Sequence, residues 1–89
     1  MARVTFTDNL QRHVACPPTT APGRTVREVL DTVFAANPRA RGYVLDDHGA
    51  LRQHMTIFVD GELLRDRVSL SDPVAEGGEV YVMQALSGG

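Results

Sequence analysis

Several residue types are absent or scarce in this sequence, and each absence narrows the class of protein. Lysine is absent, so all nine basic residues are arginine, and with eleven acidic residues the net charge is −2. Such a balance leaves no broad basic surface of the kind that binds nucleic acid. No apolar run approaches the roughly 20 residues that a membrane span needs. The N-terminal stretch MARVTFTDNL also lacks the apolar core of a signal peptide.

Cysteine and histidine are too few and too dispersed to suggest a disulfide or a metal site. Cys16 has no second cysteine to pair with, and we therefore predict a cytoplasmic protein. The other soft ligands, His13, His48 and His54, lack the paired short spacing of a zinc site. No third group that would orient a Cys–His pair for catalysis can be recognised. We expect no bound cofactor or metal.

The length of 89 residues is that of one domain, and we predict a single domain over residues 1–89. A domain of this size buries only about 60–65% of the surface that its unfolded chain exposes. It has room for one sheet and one packed helix, and little room for a deep cleft. The size therefore favours a binding or carrier module over an enzyme.

Hydrophobic periodicity predicts one main helix between short strands. Thr25 followed by Glu28 is a T-x-x-E capping box, and the helix ends at Asn37-Pro38 because the residue before proline avoids the helical region. Five apolar residues recur at helical spacing on one face: Val26, Val29, Leu30, Val33 and Phe34. The predicted strands cover residues 2–6, 13–16, 55–59, 62–64 and 79–85.

Two connecting segments complete the prediction. A second short helical turn is expected over residues 39–45, and residues 65–73 are expected to be irregular, with Val68 and Leu70 packing inward. Asp60-Gly61 is a strong signal for a two-residue hairpin turn. The order strand, strand, helix, strand, short strand, strand predicts an α+β fold of the β-grasp type. In this fold a mixed sheet of four to five strands has the main helix on one face, and the last strand lies parallel to the first.

The last strand is predicted to present two different faces. Its side chains alternate, so Val80 and Val82 face the helix, whereas Tyr81 and Met83 face away from it. Exposed aromatic and methionine side chains next to each other are typical of partner-binding surfaces. The alternative is that a loop covers them.

The sequence ends in Gly88-Gly89, almost directly after this strand. Glycine has no Cβ, so two glycines can form a thin extended thread that enters a narrow channel. No side chain then shields the carboxylate of Gly89. We predict a flexible C-terminal tail over residues 86–89, with its chemistry at the terminal carboxylate, although a simple linker would end in the same way.

These segments resemble the ubiquitin-like sulfur-carrier (MoaD/ThiS) family. DPVAEGGEVYVMQALSGG is similar to its C-terminal signature, TVREVLDTVFAANP to its helix and IFVDGELLRD to its hairpin. VLDDHGALRQHMTIFVDGE, with an extra turn before the hairpin, resembles most the carriers of the cysteine-biosynthesis pathway and the longer archaeal carriers. The family also includes the small subunit of molybdopterin synthase and the carrier of the thiamine pathway.

The resemblance implies that the protein is a cosubstrate and not an enzyme. A partner similar to ubiquitin-activating enzymes would adenylate Gly89 with ATP and Mg²⁺. A sulfur donor, either sulfide or a sulfurtransferase, would then form a thiocarboxylate, and a synthase would accept its sulfur. The expected site residues are Gly88 and Gly89 for the chemistry, with Tyr81, Met83, Leu86, Arg65 and Arg67 for binding the partner. For the two arginines, simple solvation is the alternative.

Two other functions stay open at this point. The chain could be a ubiquitin-like modifier that is conjugated to protein amines through Gly89 after the same activation. It could also be a β-grasp interaction domain whose terminal glycines are inert. The receiving pathway is open as well, since carriers for cysteine, molybdopterin and thiamine share the same C-terminal pattern.

Overall fold

The structure, a computed structural model, describes residues 1–84, which contain five strands and three helices. The strands are β1 (Ala2–Phe6), β2 (Thr19–Ala21), β3 (Met55–Val59), β4 (Glu62–Leu63) and β5 (Glu79–Gln84). The helices are α1 (Asp8–Gln11), α2 (Val26–Ala36) and α3 (Pro38–Val44). The strands form one mixed sheet in the order β2-β1-β5-β3-β4. β5 runs parallel to β1 and antiparallel to β3, so the predicted β-grasp arrangement is confirmed.

The core lies between α2 and one face of the sheet. The whole predicted apolar stripe of α2 is buried, and it packs over the sheet face that carries Val4, Ile57, Val80 and Val82, each with no exposed surface. Burial of this apolar area is the main force that holds a small domain together. Among the helices of residues 1–84, none has the length and hydrophobicity that crossing a membrane requires.

The start of α2 is capped much as its sequence predicts. The hydroxyl of Thr25 accepts a hydrogen bond from the N–H of Glu28 at 3.2 Å. The carboxylate of Glu28 accepts from the N–H of Arg24 at 3.1 Å, one residue earlier than in a standard capping box. At the other end, the side chain of Asn37 accepts from the N–H of Ala40 at 3.3 Å and so caps α3. The prediction of two successive helices is therefore confirmed.

The predicted strand over residues 13–16 is wrong. The second strand, β2, lies further along the chain and pairs antiparallel with β1, so residues 7–18, including α1, form the connection between them. Val14 and Cys16, which suggested the strand, are only 5% and 2% exposed. Their alternation with exposed neighbours reflects burial of a connecting segment against the core. It does not reflect pairing in the sheet.

Gly23 precedes α2 in a conformation that only glycine adopts easily. Its φ is +148°, and an added Cβ would lie 2.8 Å from the backbone nitrogen of Val29 and 2.9 Å from Cβ of Glu28. We expect Gly23→Ala to lower the free energy of unfolding by about 2–3 kcal/mol, measured by urea denaturation. Gly42→Ala is the matched control, because a Cβ there meets nothing within 4 Å. Equal stability of the two variants would contradict this close approach.

The segment between β4 and β5 contains one confirmed and one wrong prediction. Leu70 is fully buried, as predicted, whereas Val68 is 70% exposed and does not pack inward. Asp66 organises this segment. Its Oδ1 accepts from the N–H groups of Val68 and Ser69 at 3.1 and 2.9 Å, and its Oδ2 accepts from the hydroxyl of Ser71 at 2.6 Å.

Asp66 should make stability depend on pH below neutrality. The Ser71 hydroxyl, followed by backbone N–H groups, lowers the pKa of Asp66 from 3.8 to about 2. Because the pKa of Asp66 is lower in the folded chain than in the unfolded chain, its ionised carboxylate stabilises the fold at pH values above the unfolded pKa. This contribution is lost as the pH falls through the folded pKa of about 2. We expect Asp66→Asn to lower Tm at neutral pH and the difference to shrink towards pH 2, in thermal melts with Asp47→Asn as control. A Tm difference that does not change with pH would contradict this role.

Candidate functional site

β5 is the strand that leads towards Gly88-Gly89, and it is held along both edges. Residues 79–82 pair with β1, and residues 80–84 pair with β3. At the end of the strand, the N–H of Gln84 donates to the hydroxyl of Thr7 at 3.4 Å. The position of Gln84, from which the chain continues, is therefore fixed by two neighbouring strands.

The start of β5 is anchored by the predicted hairpin turn. Asp60 and Gly61 have φ values of +50° and +83°, the conformation that two-residue turns between antiparallel strands require. Oδ1 of Asp60 accepts from the N–H of Glu79 at 2.8 Å, and the N–H of Asp60 donates to the carbonyl of Glu79 at 2.9 Å. The turn thus ties the β3–β4 hairpin to the first residue of β5.

Several predicted site residues lie outside the described part of the chain. These are Leu86, Gly88 and Gly89, together with the predicted flexible tail over 86–89 and the last residue of the predicted strand, Ala85. We refer to residues 85–89 as the C-terminal segment. The structure bears on this segment only through Gln84, the residue from which it continues.

The face of the sheet opposite α2 carries a row of apolar side chains centred on β5. Tyr81 lies opposite Thr5 of β1 and Phe58 of β3, and Phe58 lies opposite Leu63 of β4. Directly opposed residues have Cβ atoms about 4.5–5.5 Å apart, so the row is continuous across three strands. Tyr81 is 38% exposed and Leu63 59% exposed. Exposed aromatic and apolar side chains that adjoin in this way are typical of binding surfaces.

Met83 extends this row towards the C-terminal segment. It lies opposite Thr56 of β3 and is half-buried. We call Phe58, Leu63, Tyr81 and Met83 the open-face patch. Tyr81 and Met83 were both predicted to lie on this face, and the structure places them there. Phe58 and Leu63 were not predicted to lie on this face. For Phe58 the signal was present, because it alternates with the buried Met55, Ile57 and Val59 of its strand.

The two predicted arginines have different surroundings. Arg65 is exposed and lines a concavity together with Leu63, at the edge of the open-face patch. The side chain of Arg67 is instead engaged within the chain: its Nη2 donates to the carbonyls of Arg52 and Met55 at 2.8 and 2.7 Å. Arg67 thus holds its loop against the start of β3. That it also contacts a partner stays a prediction.

The described residues with potential metal-binding or nucleophilic side chains are dispersed or buried. Within residues 1–84, no three histidine, cysteine, aspartate or glutamate side chains cluster closely enough to hold a metal ion. The thiol of Cys16 is buried and lies 3.3 Å from the carbonyl of Val14. Burial raises the pKa of the Cys16 thiol, which keeps it protonated and poorly nucleophilic.

The five-stranded sheet with α2 across one face defines a ubiquitin-like, or β-grasp, protein. A chain of the Amycolatopsis orientalis BexX/CysO complex is similar at a TM-score of 0.83, with 22% identity over 100% of both chains. Mycobacterium tuberculosis CysO is similar at 0.80, with 22% identity over 97% of this chain and 100% of its own. Small archaeal modifier protein 1 from Methanosarcina acetivorans is similar at 0.80, with 19% identity over 99% and 95%.

The family of the chain follows from its sequence. The profile of the ThiS family matches residues 14–89, and the chain belongs to that family of ubiquitin-like sulfur carriers. Small carrier proteins of this type are not catalytic. No curated protein matches the sequence at a significant level. The chain is therefore a ubiquitin-like carrier or modifier, and its chemistry depends on other proteins.

Proposed function

We propose that this protein carries sulfur as a thiocarboxylate on Gly89, the last residue of the sequence. The observation that supports this most directly is the position of β5. It is hydrogen-bonded on both sides as far as Gln84, and Gly89 is only the fifth residue after Gln84. A rigid strand next to a short glycine-ended segment can present a carboxylate to another protein's active site at a defined distance from a docking surface.

The proposed chemistry has two steps, both at the terminal carboxylate. One carboxylate oxygen of Gly89 attacks the α-phosphorus of ATP, and pyrophosphate leaves with Mg²⁺, which gives an acyl-adenylate. Hydrosulfide then attacks the carbonyl carbon, the bond to the AMP oxygen breaks, and loss of a proton leaves –COS⁻. A persulfide donor would form an acyl disulfide instead, and a second thiol would have to cleave it. ATP and Mg²⁺ are held by the activating partner.

The open-face patch and Arg65 are the surface on which the activating enzyme would dock. Tyr81 lies at the centre of the patch, and large aromatic side chains at such centres contribute most to binding energy. Met83 continues the patch along β5 towards Gln84. A partner seated there would receive the C-terminal segment directly. Since this scheme consumes ATP and reduced sulfur, we place the carrier in the cytoplasm.

A second candidate function is protein modification. The similarity to small archaeal modifier protein 1 favours it, and it requires the same activation of Gly89. In that case the acyl group passes to the amine of a target protein and not to sulfur. An interaction domain that transfers nothing would use the open-face patch alone.

Intact-mass spectrometry separates the three functions. The chain is incubated with the ubiquitin-activating-type enzyme of the same organism, ATP, Mg²⁺ and sulfide. Replacement of one oxygen by one sulfur supports the carrier. A C-terminal remnant of the chain on lysines of target proteins supports the modifier; it is Ser87-Gly88-Gly89 after cleavage that follows Leu86, whereas trypsin leaves residues 68–89 because the last arginine is Arg67. An unchanged mass of the chain and the absence of such a remnant together support the interaction domain. If the product is a thiocarboxylate, incubation with candidate synthases identifies whether the sulfur serves cysteine, molybdopterin or thiamine formation.

A further inference from the structure

A second surface lies at the end of β5, beside the start of the C-terminal segment. Side chains from four parts of the chain line one open concavity of about 340 Å³ there: His13, Tyr43, Arg52, His54 and Gln84. The imidazole of His13 stacks on the ring of Tyr43, with centroids 6.0 Å apart and planes 22° apart. We call these five residues the His–Arg cluster. It is separate from the open-face patch.

The cluster is cationic and includes no carboxylate. Arg52 is held in place because its Nε donates to the carbonyl of Gly42 at 2.8 Å. Asp46 lines the adjoining concavity, and its pKa is lowered first by the backbone N–H of Ala50 and, among weaker causes, by the charge of Arg52. Among residues 1–84, however, no carboxylate forms an ion pair with Arg52, so its guanidinium can still bind a carboxylate from outside the chain.

Gln84 supplies a second recognition element. Its Oε1 is buried and has no hydrogen-bond partner among residues 1–84. A buried carbonyl oxygen without a donor is unfavourable, and such groups are normally satisfied by a partner. Oε1 has almost no accessible surface, so an N–H group of a docked protein can satisfy it only once the Gln84 side chain rotates into the concavity that it lines. An acidic residue of that protein would then offer both its own N–H to Gln84 and its carboxylate to Arg52 and the two imidazoles.

The charge at the opposite end of β5 has the other sign. Asp60, Glu62 and Glu79 lie there with two cations, Arg3 opposite Glu79 and Arg65 in the same concavity as Asp60 and Glu62. An acidic surface is thus attracted more strongly to the end of the strand that carries the His–Arg cluster. Such a distribution orients a partner before contact as well as attracting it.

We propose that the His–Arg cluster binds an aspartate or glutamate side chain of the activating enzyme that receives the C-terminal segment. This inference rests on the proposed function. A protein carboxylate fits better than the phosphates of the nucleotide. Five residues separate Gln84 from the Gly89 carboxylate, and such a segment spans about 17 Å when extended. With the segment threaded into a channel, a nucleotide at Gly89 lies far from Arg52.

The test uses the full chain and the activating enzyme of the same organism, and it measures kcat and KM for chain-dependent pyrophosphate release. We expect His54→Glu and Arg52→Gln each to raise KM about tenfold and to change kcat less than twofold, because docking is weakened and the chemistry is untouched. The matched controls, Ala35→Glu and Arg24→Gln, should leave KM within twofold of the wild type. Raising the salt concentration should increase the KM of the wild type more than that of Arg52→Gln.

The variants separate failure of this inference from failure of the proposed function. If the wild-type chain yields no pyrophosphate, both are wrong. If the wild-type chain yields pyrophosphate while His54→Glu keeps the wild-type KM, only the inference is wrong. This conclusion holds even if Arg52→Gln is destabilised by the loss of the hydrogen bond between Arg52 and Gly42. If deleting Gly88-Gly89 shifts the NMR signals of the His54 ring without enzyme present, the occupant is the chain's own carboxylate, which also overturns the inference.

Discussion

Deleting Gly89 should lower thiocarboxylate formation by a factor of about 100 or more while leaving the fold intact. The deletion moves the terminal carboxylate back by one residue, about 3.5 Å along an extended chain, and a misplacement of even 1 Å can reduce a positioned reaction about 100-fold. The described pairing of β5 with its neighbours lies within residues 79–84 and is untouched. Intact-mass spectrometry after incubation with the activating enzyme, ATP and sulfide measures the product, and the Tm of the variant measures the fold.

Gly89→Ala is the companion variant, because it keeps the length and adds one Cβ beside the carboxylate. We expect an intermediate loss, which would separate the effect of reach from that of bulk. Gly42→Ala, in α3, is the control for glycine replacement away from the segment. If the chain that lacks Gly89 still accepts sulfur at the wild-type rate, the assignment of the chemistry to this carboxylate is wrong.

The fold was largely predictable because its strongest signals are local. The T-x-x-E pattern at Thr25 places the first turn of α2, and Asp60-Gly61 adopts the two positive φ values that its sequence predicts. Alternation along β5 predicted which side chains face α2. Each of these features depends on neighbours within a few residues, and local preference and tertiary structure agree there.

What the sequence did not predict depends on contacts between distant segments. The strand expected over residues 13–16 has the right polarity, but β1 pairs with Thr19–Ala21, and that register depends on the length of the connection. Val68 is apolar and adjacent to a buried segment, yet the hydrogen bonds that Asp66 makes in this loop leave it exposed. Polarity alone therefore cannot distinguish a buried connection from a strand, or an exposed valine from a core residue.

The candidate site likewise contains some residues that local signals predict and others that depend on contacts between distant segments. Tyr81 and Met83 follow from alternation within one strand, whereas Phe58 and Leu63 join them only through the pairing of β3 with β5 and β4. The His–Arg cluster gathers residues between 13 and 84 in the sequence. Its histidines were weighed as metal ligands, and their position beside Gln84 could not be read from spacing. The structure thus adds the neighbours that turn single exposed residues into surfaces.

Replacing Tyr81 by glutamate should weaken binding to the activating enzyme by about 30–100-fold, or about 2–3 kcal/mol. The substitution removes the central ring of the open-face patch and places a charge between Thr5 and Phe58, where docking would exclude water. Isothermal titration calorimetry, with the enzyme and a non-hydrolysable ATP analogue, measures the Kd.

The matched control for Tyr81→Glu is Ala35→Glu, which places the same charge on an exposed position of α2, on the other side of the sheet from the patch. Tyr81 is 38% exposed, so its replacement should reduce the free energy of unfolding by only about 1 kcal/mol. The two variants should therefore fold alike and differ in Kd. If Tyr81→Glu binds as tightly as Ala35→Glu, the partner docks elsewhere. The rigidity of β5 would then serve only to position the C-terminal segment.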